Sequence, residues 1–351
     1  MVSSKPVNIA ILGAGSIGCY LGGCLAANSD ATTTAISLIG RPRLQQQLQS
    51  HGLTVTDWQG RHSHIATNAR HAALLQFHTT CEALAHADYI LVTVKSGDTR
   101  AAGQLISRHG HTDAVVISFQ NGVSNGDKLQ QLLPRHTVLR GMVPFNVFSQ
   151  GQGVFHCGTE GNLALQATTV EIGALLKRFA SAALPIMQYD DMATVQWGKL
   201  VVNLNNAVNA LAGMPLRDQL YHPVYRRIMA RTIKEALVIL TKAGIRPARS
   251  GKVIPALLPY VLALPTPLFA KVASAMLKID ADARSSMYED LQLQRTTEVD
   301  FLNGEIVRLA KQHQLAAPIN STIVTLIKDA ERQRQGSPMI GADSLRRLLK
   351  L

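Results

Sequence analysis

Three groups of residues in this chain have the types and spacing to do chemistry. Lys199, Asn203 and Asn206 lie four and then three apart, which sets them on one stripe of a helix. A lysine and two amides among Val, Leu and Ala fit a cleft in which the ammonium gives a proton. They also fit a solvent or subunit face with the amides satisfied by backbone. The second group is Gly13-Ala14-Gly15-Ser16-Ile17-Gly18, a Gly-x-Gly-x-x-Gly pattern. The third is Lys95 and Asn121, each close after a strongly apolar run, 88–94 and 114–119.

The glycine pattern has meaning only between a strand and a helix. Residues 7–12 read Val-Asn-Ile-Ala-Ile-Leu, and an amphipathic segment runs over 19–27. In that setting the first glycine permits a tight turn. The second leaves room for a pyrophosphate, and the third lets helix and strand pack closely. The phosphates would sit on unpaired N–H groups where the helix dipole favours anions. Gly13, Ala14, Gly15, Ser16, Ile17 and Gly18 are therefore expected to bind a dinucleotide.

A second strand over 34–39 ends Leu38-Ile39-Gly40-Arg41, with no acid, and Arg43 follows. An acid there would hold a ribose 2′-hydroxyl, whereas an arginine suits a 2′-phosphate. The expected cofactor is thus NADP(H), with Arg41 as the phosphate ligand. Ligands of open α/β sheets bind beyond the carboxyl ends of the strands. Lys95 is expected at the nucleotide or substrate, Asn121 at the nicotinamide side or substrate. Gly122 allows close backbone approach.

Further strands are expected at 53–56, 63–67, 137–144, 153–156, 162–166 and 184–189, with a helix over 170–182. From residue 190 the strand signals stop. Helical periodicity takes over, with long helices at 192–211, 223–243 and 315–330. The expected fold class is α/β: a Rossmann-type N-terminal domain over 1–189 with an extra antiparallel portion, then an all-α C-terminal domain. The helical substrate and catalytic domain spans 190–334 and a basic tail 335–351. Residues 253–270 are uncharged and mostly apolar, yet carry Pro255, Pro259, Pro265 and Pro267. Repeated prolines break helices, so a buried, kinked helix pair is expected there and not a membrane span.

A chain of 351 residues suits two domains. Apolar content of 46% with 17% charged residues is globular. The balance of 35 basic and 23 acidic residues, +12, suits a polyanionic cofactor and an anionic substrate. No basic patch is interleaved with aromatics, so nucleic acid is not an expected partner. The four cysteines form no Cys-x-x-Cys pair. With no apolar leader-like segment, they suit reduced thiols and a cytoplasmic location. The histidines show no metal-ligand spacing, and no metal is expected.

With these pieces in order, the chain resembles the ketopantoate reductase (2-dehydropantoate 2-reductase) family from residue 7 to about residue 330. The resemblance is carried by the three glycines, Val94-Lys95-Ser96, Gln120-Asn121-Gly122 and the Trp-x-Lys-Leu-x-x-Asn run from Trp197 to Asn203. It continues in Ser285-Ser286-Met287-x-x-Asp290, Arg295-x-Thr297-Glu298 and Asn303-Gly304. It implies Lys199 as general acid and Glu298 as a catalytic or substrate-positioning group. It also implies Asn121, Asn203 and Ser286 as ligands of a small 2-oxo acid and Lys95 as a cofactor contact. Where the family usually has a second asparagine stands Ala207, with Asn206 or Asn209 as candidates to replace it. Asp98 and Ala283 stand where many or some members carry Gln and Asn. These departures bear on the substrate more than on the reaction.

The implied activity is NADPH-dependent reduction of 2-dehydropantoate to (R)-pantoate, a step of pantothenate and coenzyme A biosynthesis. One alternative is a reductase for a different branched 2-oxo acid. Another is a non-catalytic NADP-binding sensor, which would not need Lys199. The long apolar C-terminal helices could bury against a second subunit, giving a homodimer, or against each other. One geometric condition follows. On one straight helix Ser286 and Glu298 would lie about 18 Å apart, too far for one small oxo acid. If both touch substrate, a break is expected over 294–297, with Thr297 and Asp300 opening a new helix.

Overall fold

The computed structural model describes residues 6–66, 73–251, 253–274 and 283–351. It divides into two units, Met1–Met192 and Ala193–Leu351. In chain order the first contains β1 (Val7–Leu12), α1 (Ser16–Ala27), β2 (Thr34–Ile39), α2 (Pro42–His51), β3 (Leu53–Asp57), β4 (His62–Ile65) and β5 (Leu75–His78). There follow β6 (Tyr89–Val92), α3 (Thr99–His109), β7 (Val115–Ser118), α4 (Asn125–Leu132), β8 (Val138–Met142), β9 (Val147–Gly151), β10 (Val154–Cys157), β11 (Leu163–Gln166), α5 (Gly173–Ser181) and β12 (Ile186–Tyr189). The final residue of the strand expected over 63–67 lies outside the described residues.

The main sheet has the order β12-β11-β8-β7-β6-β1-β2-β5. The six strands from β5 to β8 are parallel, and β11 runs antiparallel to β8. Strand order therefore reverses between β1 and β6, the switch point at which such sheets bind ligands. The expected antiparallel portion is partly this extension. The rest is a second sheet, β4-β3-β10-β9, in which β3 and β4 pair as the expected hairpin. Two of its neighbours explain an oddity of α1, which is buried over most of its surface. A Cβ on Gly22 would meet Leu38 of β2 at 2.7 Å, and one on Gly23 would meet Val55 of β3 at 2.5 Å. The helix is thus packed on both sides, and an apolar sequence all round is the consequence. Cys19 and Cys24 are small residues in that packing, both fully buried.

In the second unit lie α6 (Met192–Asn203), α7 (Asn205–Ala212), α8 (Leu216–Tyr221), α9 (Pro223–Lys242), α10 (Leu258–Leu262), α11 (Thr266–Val272), α12 (Ser286–Gln292), α13 (Asn303–Gln312), α14 (Pro318–Gln333) and α15 (Ala342–Leu348). The helix expected over 192–211 is interrupted at Leu204. The proline-rich stretch forms α10 and α11, two short helices each with proline in the first turn. Arg226 of α9 fastens them. Fully buried, it donates to the carbonyls of Leu220, Tyr221, Leu262 and Leu264 and to the Thr266 hydroxyl. Its guanidinium lies 4.5 Å from the Phe269 ring centroid. Residues 335–351 are part of this unit. Leu345 of α15 is fully buried, and the Ile340 N–H bonds the Leu211 carbonyl. The expectation of a separate basic tail overlooked these apolar anchors between the arginines. Among the described residues no helix is long and apolar enough to cross a membrane.

Candidate active site

In the first unit the glycine-rich turn sits at the switch point, wedged against β6. A Cβ on Gly13, whose φ is +105°, would meet the Val94 backbone nitrogen at 2.5 Å. One on Gly18 would strike the Gly13 carbonyl oxygen at 2.6 Å. Both positions exclude any side chain. Gly15 differs: it is exposed, and its added Cβ would find only the Gly13 oxygen, at 4.0 Å. Open space there, at the N-cap of α1, is what a diphosphate on the first N–H groups of a helix requires. The residues present fit a dinucleotide. Ala14 is buried while Ser16 and Ile17 are half-buried in the first turn.

Neighbouring elements fix this loop. The Ile39 carbonyl at the end of β2 accepts from both Gly13 and Ala14 N–H groups, at 3.0 and 2.9 Å. The Thr93 hydroxyl donates to the Gly13 carbonyl at 2.7 Å. Arg41 follows one residue after β2's last neighbour Gly40 and is the exposed N-cap residue of α2.

Lys95 and Asn121 are half-buried at the carboxyl ends of β6 and β7. A buried polar network holds their backbones. Ser96 Oγ and Asn125 Nδ2 both donate to the Asn121 carbonyl, at 2.9 and 2.6 Å. The Thr99 hydroxyl donates to Asn125 Oδ1, and Gln120 Nε2 donates to Thr99 Oγ1 and to the Val94 carbonyl. Thr93, Thr99 and Asn125 were missed from the sequence, and Ser96 and Gln120 figured there only as parts of motifs, without this role. The available signal was a cluster of small polar residues directly behind two apolar strands.

In the second unit Lys199, Asn203 and Asn206 are each half-buried along α6 and α7. Gly198 sets α6 tightly on the segment after α9. A Cβ there would lie 2.2 Å from the Ala248 carbonyl oxygen, and the Ala248 N–H bonds the Thr194 carbonyl. Burial strips water from the Lys199 ammonium and pushes its pKa down to about 8; the Glu298 carboxylate works in the opposite direction. Lys199 and Glu298, 99 positions apart in sequence, are therefore within electrostatic reach.

Ser286 is exposed at the start of α12, whose N-cap is Ser285, accepting from the Tyr288 N–H at 3.2 Å. Ser285 ties α12 to α7. Its N–H donates to Asn209 Oδ1 at 2.9 Å and its hydroxyl to the Asn206 carbonyl at 3.0 Å. Ser286 and Asn206 are thereby brought beside one another. Asn209, the other stand-in considered for position 207, is fully buried and occupied. Its amide also donates to the Met214 carbonyl and to Gln219 Oε1. It serves as an internal fastener, and Ala207 is likewise fully buried.

The break between Ser286 and Glu298 is present. α12 stops at Gln292, and Gln294 takes a left-handed φ of 52°. The Gln294 N–H bonds the Leu291 carbonyl and the Arg295 N–H the Asp290 carbonyl, the double closure that ends many helices. A tight turn over Val299–Phe301 follows with Glu298 at its head. Thr297 does open a new element, its hydroxyl accepting from the Val299 N–H at 3.2 Å. That element is the short turn; the helix α13 starts only at Asn303.

The switch-point glycines and the half-buried lysine–glutamate pair define the class: a nicotinamide-dinucleotide-dependent oxidoreductase on a Rossmann sheet. The profile of the family described as Ketopantoate reductase PanE/ApbA matches residues 9–169, and that of its C-terminal part matches residues 191–331. The chain belongs to the ketopantoate reductase family. It is 25% identical over 332 residues to a 2-dehydropantoate 2-reductase of Halobacterium salinarum, covering 93% of this chain and 99% of that one. With the enzyme of that name from Pyrococcus horikoshii it shares 26% over 347 residues, covering 94% and 100%. A crystal structure of a PanE/ApbA family ketopantoate reductase from Ralstonia eutropha is similar at a TM-score of 0.78, with 26% identity and coverage of 94% and 100%. The fold is also that of D-mandelate dehydrogenase, solved with NADH and anilino(oxo)acetate, at TM-score 0.73, 19% identity and coverage of 93% and 99%.

Proposed function

We propose that this oxidoreductase reduces the 2-carbonyl of 2-dehydropantoate to give (R)-pantoate, using NADPH, in the supply of pantothenate and coenzyme A. One observation carries the reading: a half-buried lysine with its pKa near 8, opposed by Glu298, on a stripe with two amides. NADPH, when bound, supplies the hydride. The carbonyl oxygen then gains negative charge, which a positioned cation stabilises. Lys199 stabilises that charge and gives the oxygen its proton, recovering one from solvent. Glu298 keeps the ammonium protonated near neutral pH and accepts a hydrogen bond from the substrate hydroxyl. Asn203, Asn206 and Ser286 bind the substrate's polar groups, and Asn121 adds an amide. Lys95 contacts the dinucleotide. Arg41, with no acid beside it at the end of β2, holds the 2′-phosphate and selects NADPH over NADH.

A second substrate, a more apolar branched 2-oxo acid, is favoured by Ala207 and by the engagement of Asn209 inside the helical unit. The test is the loss of NADPH absorbance with a panel of 2-oxo acids. Turnover led by 2-dehydropantoate supports the first reading, and a bulkier oxo acid ahead of it replaces that reading by the second. No turnover of any oxo acid removes both.

A further inference from the structure

Glu298 is held from a helix that the reaction itself does not use. Glu331 of α14 is 13% exposed at its side chain, and its Oε1 accepts twice from Thr297, from the N–H at 2.7 Å and the hydroxyl at 2.6 Å. Lys328, one turn earlier on α14, pairs with Glu331 Oε2 at 3.3 Å and with Asp300 Oδ2 at 2.5 Å. The chain is thus pinned one residue before Glu298 and two residues after it, to neighbouring turns of the same helix. Among the described residues the charged groups here include Glu298 and Asp300 on the turn, Lys328 and Glu331 on α14, Lys199 on α6, and Arg308 of α13, which donates to the Asp300 carbonyl and pairs with Glu305. Upstream, residues 292–296 are exposed and give the turn no burial of their own.

We propose that Glu331 and Lys328 are positioning residues that set the place of the Glu298 carboxylate relative to the Lys199 ammonium. This rests on the reading of Glu298 as part of the site. A displacement of about 1 Å in such a group costs up to about 100-fold in rate, so a clamp from a rigid helix has a use that packing alone does not explain.

The test compares E331A, E331Q, T297V and T297S in the full chain, each alone and with E298Q. The readouts are kcat with the best oxo acid, NADPH affinity by titration, and the Lys199 side-chain titration by heteronuclear NMR. E331A is expected to lower kcat about 10- to 100-fold, leave NADPH affinity unchanged, and move the Lys199 titration to lower pH. E331Q keeps an acceptor oxygen and recovers most of kcat. If E331A does not fold, T297V removes only the hydroxyl at near-constant shape, and T297S returns it. In the E298Q background E331A and T297V are expected to add nothing, because coupled residues are non-additive. The clamp is overturned if E331A or T297V costs as much in E298Q as in the unaltered chain, or if the Lys199 titration stays in place. If E298Q alone changes neither kcat nor that titration, the reading of Glu298 fails first and takes the clamp with it.

Discussion

As the proposed acid, Lys199 answers two opposing demands. A proton donor has to let go of its proton near neutral pH, and a stabiliser of oxygen charge has to keep it until the transition state. Loss of water around the ammonium serves the first and Glu298 the second. In the proposed reduction the acid form is the active one, so kcat/KM is expected to be flat below about pH 8 and to fall above it. E298Q removes the upward influence and should move that alkaline limb to lower pH. A limb that stays put in E298Q, measured across the same buffers, speaks against the pairing. K199M should lower kcat/KM by at least about 100-fold while NADPH still binds, as fluorescence titration would read. Arg41 is the other single residue with a distinct signature. R41A should raise KM for NADPH by about 10- to 100-fold and leave NADH nearly unaffected, the loss of one charged hydrogen-bonding partner. Equal effects on both dinucleotides would assign the 2′-phosphate elsewhere.

Helices in the second unit depend on buried polar fasteners more than on their own propensity. Arg226 is the extreme case, and R226M leaves four carbonyls without their donor. At about 1–3 kcal/mol for each buried group left unpaired, the loss should exceed about 3 kcal/mol in urea unfolding. A loss under 1 kcal/mol would mean that water replaces the guanidinium. These fasteners mark the limit of what local sequence could tell. β1 and β2 were legible to the residue: β1 ends in a fully buried apolar run, and β2, Thr34–Ile39, mixes β-branched and apolar residues before the Gly40-Arg41 end. The break after α12 was legible too, from reach together with the substrate-binding roles that the resemblance implied for Ser286 and Glu298. β5, Leu75–His78, was not: it is an edge strand alternating apolar and polar over four residues, with no turn signal of its own. β9, Val147–Gly151, was hidden because only its first two residues are apolar, too short a run to mark a strand. The glycine loop could be read because its strand–glycines–helix order is local, although the groups that hold it are not. The fixing partners are Thr93 for Gly13, Asn209 for Ser285, and Glu331 for Thr297. They are separated by 80, 76 and 34 positions, and no local pattern records such pairings.

At the scale of the molecule, the residues proposed to hold the cofactor belong to the first unit and the proposed proton donor to the second. The net charge of +12 would serve both, since the dinucleotide and 2-oxo acid of the proposed reaction are anions. Raising ionic strength well beyond physiological shortens the screening length below about 8 Å. KM for NADPH and for the oxo acid should then rise severalfold with kcat little changed. A KM indifferent to salt would confine recognition to the contacts themselves.

The arrangement of sulfur in the first unit has a practical consequence. Cys19, Cys24 and Cys157 are sealed in its interior and Cys81 alone among the four is partly open. Cys81 begins the short turn after β5, the strand whose His78 carbonyl receives the N–H of Gly40 just before Arg41. A maleimide dye should therefore attach once per native chain, at a spot a few residues from where the adenosine of the proposed cofactor would arrive. The molecule comes with its own attachment point for a fluorescent reporter of nucleotide binding, and no engineered thiol is needed to follow that event apart from turnover.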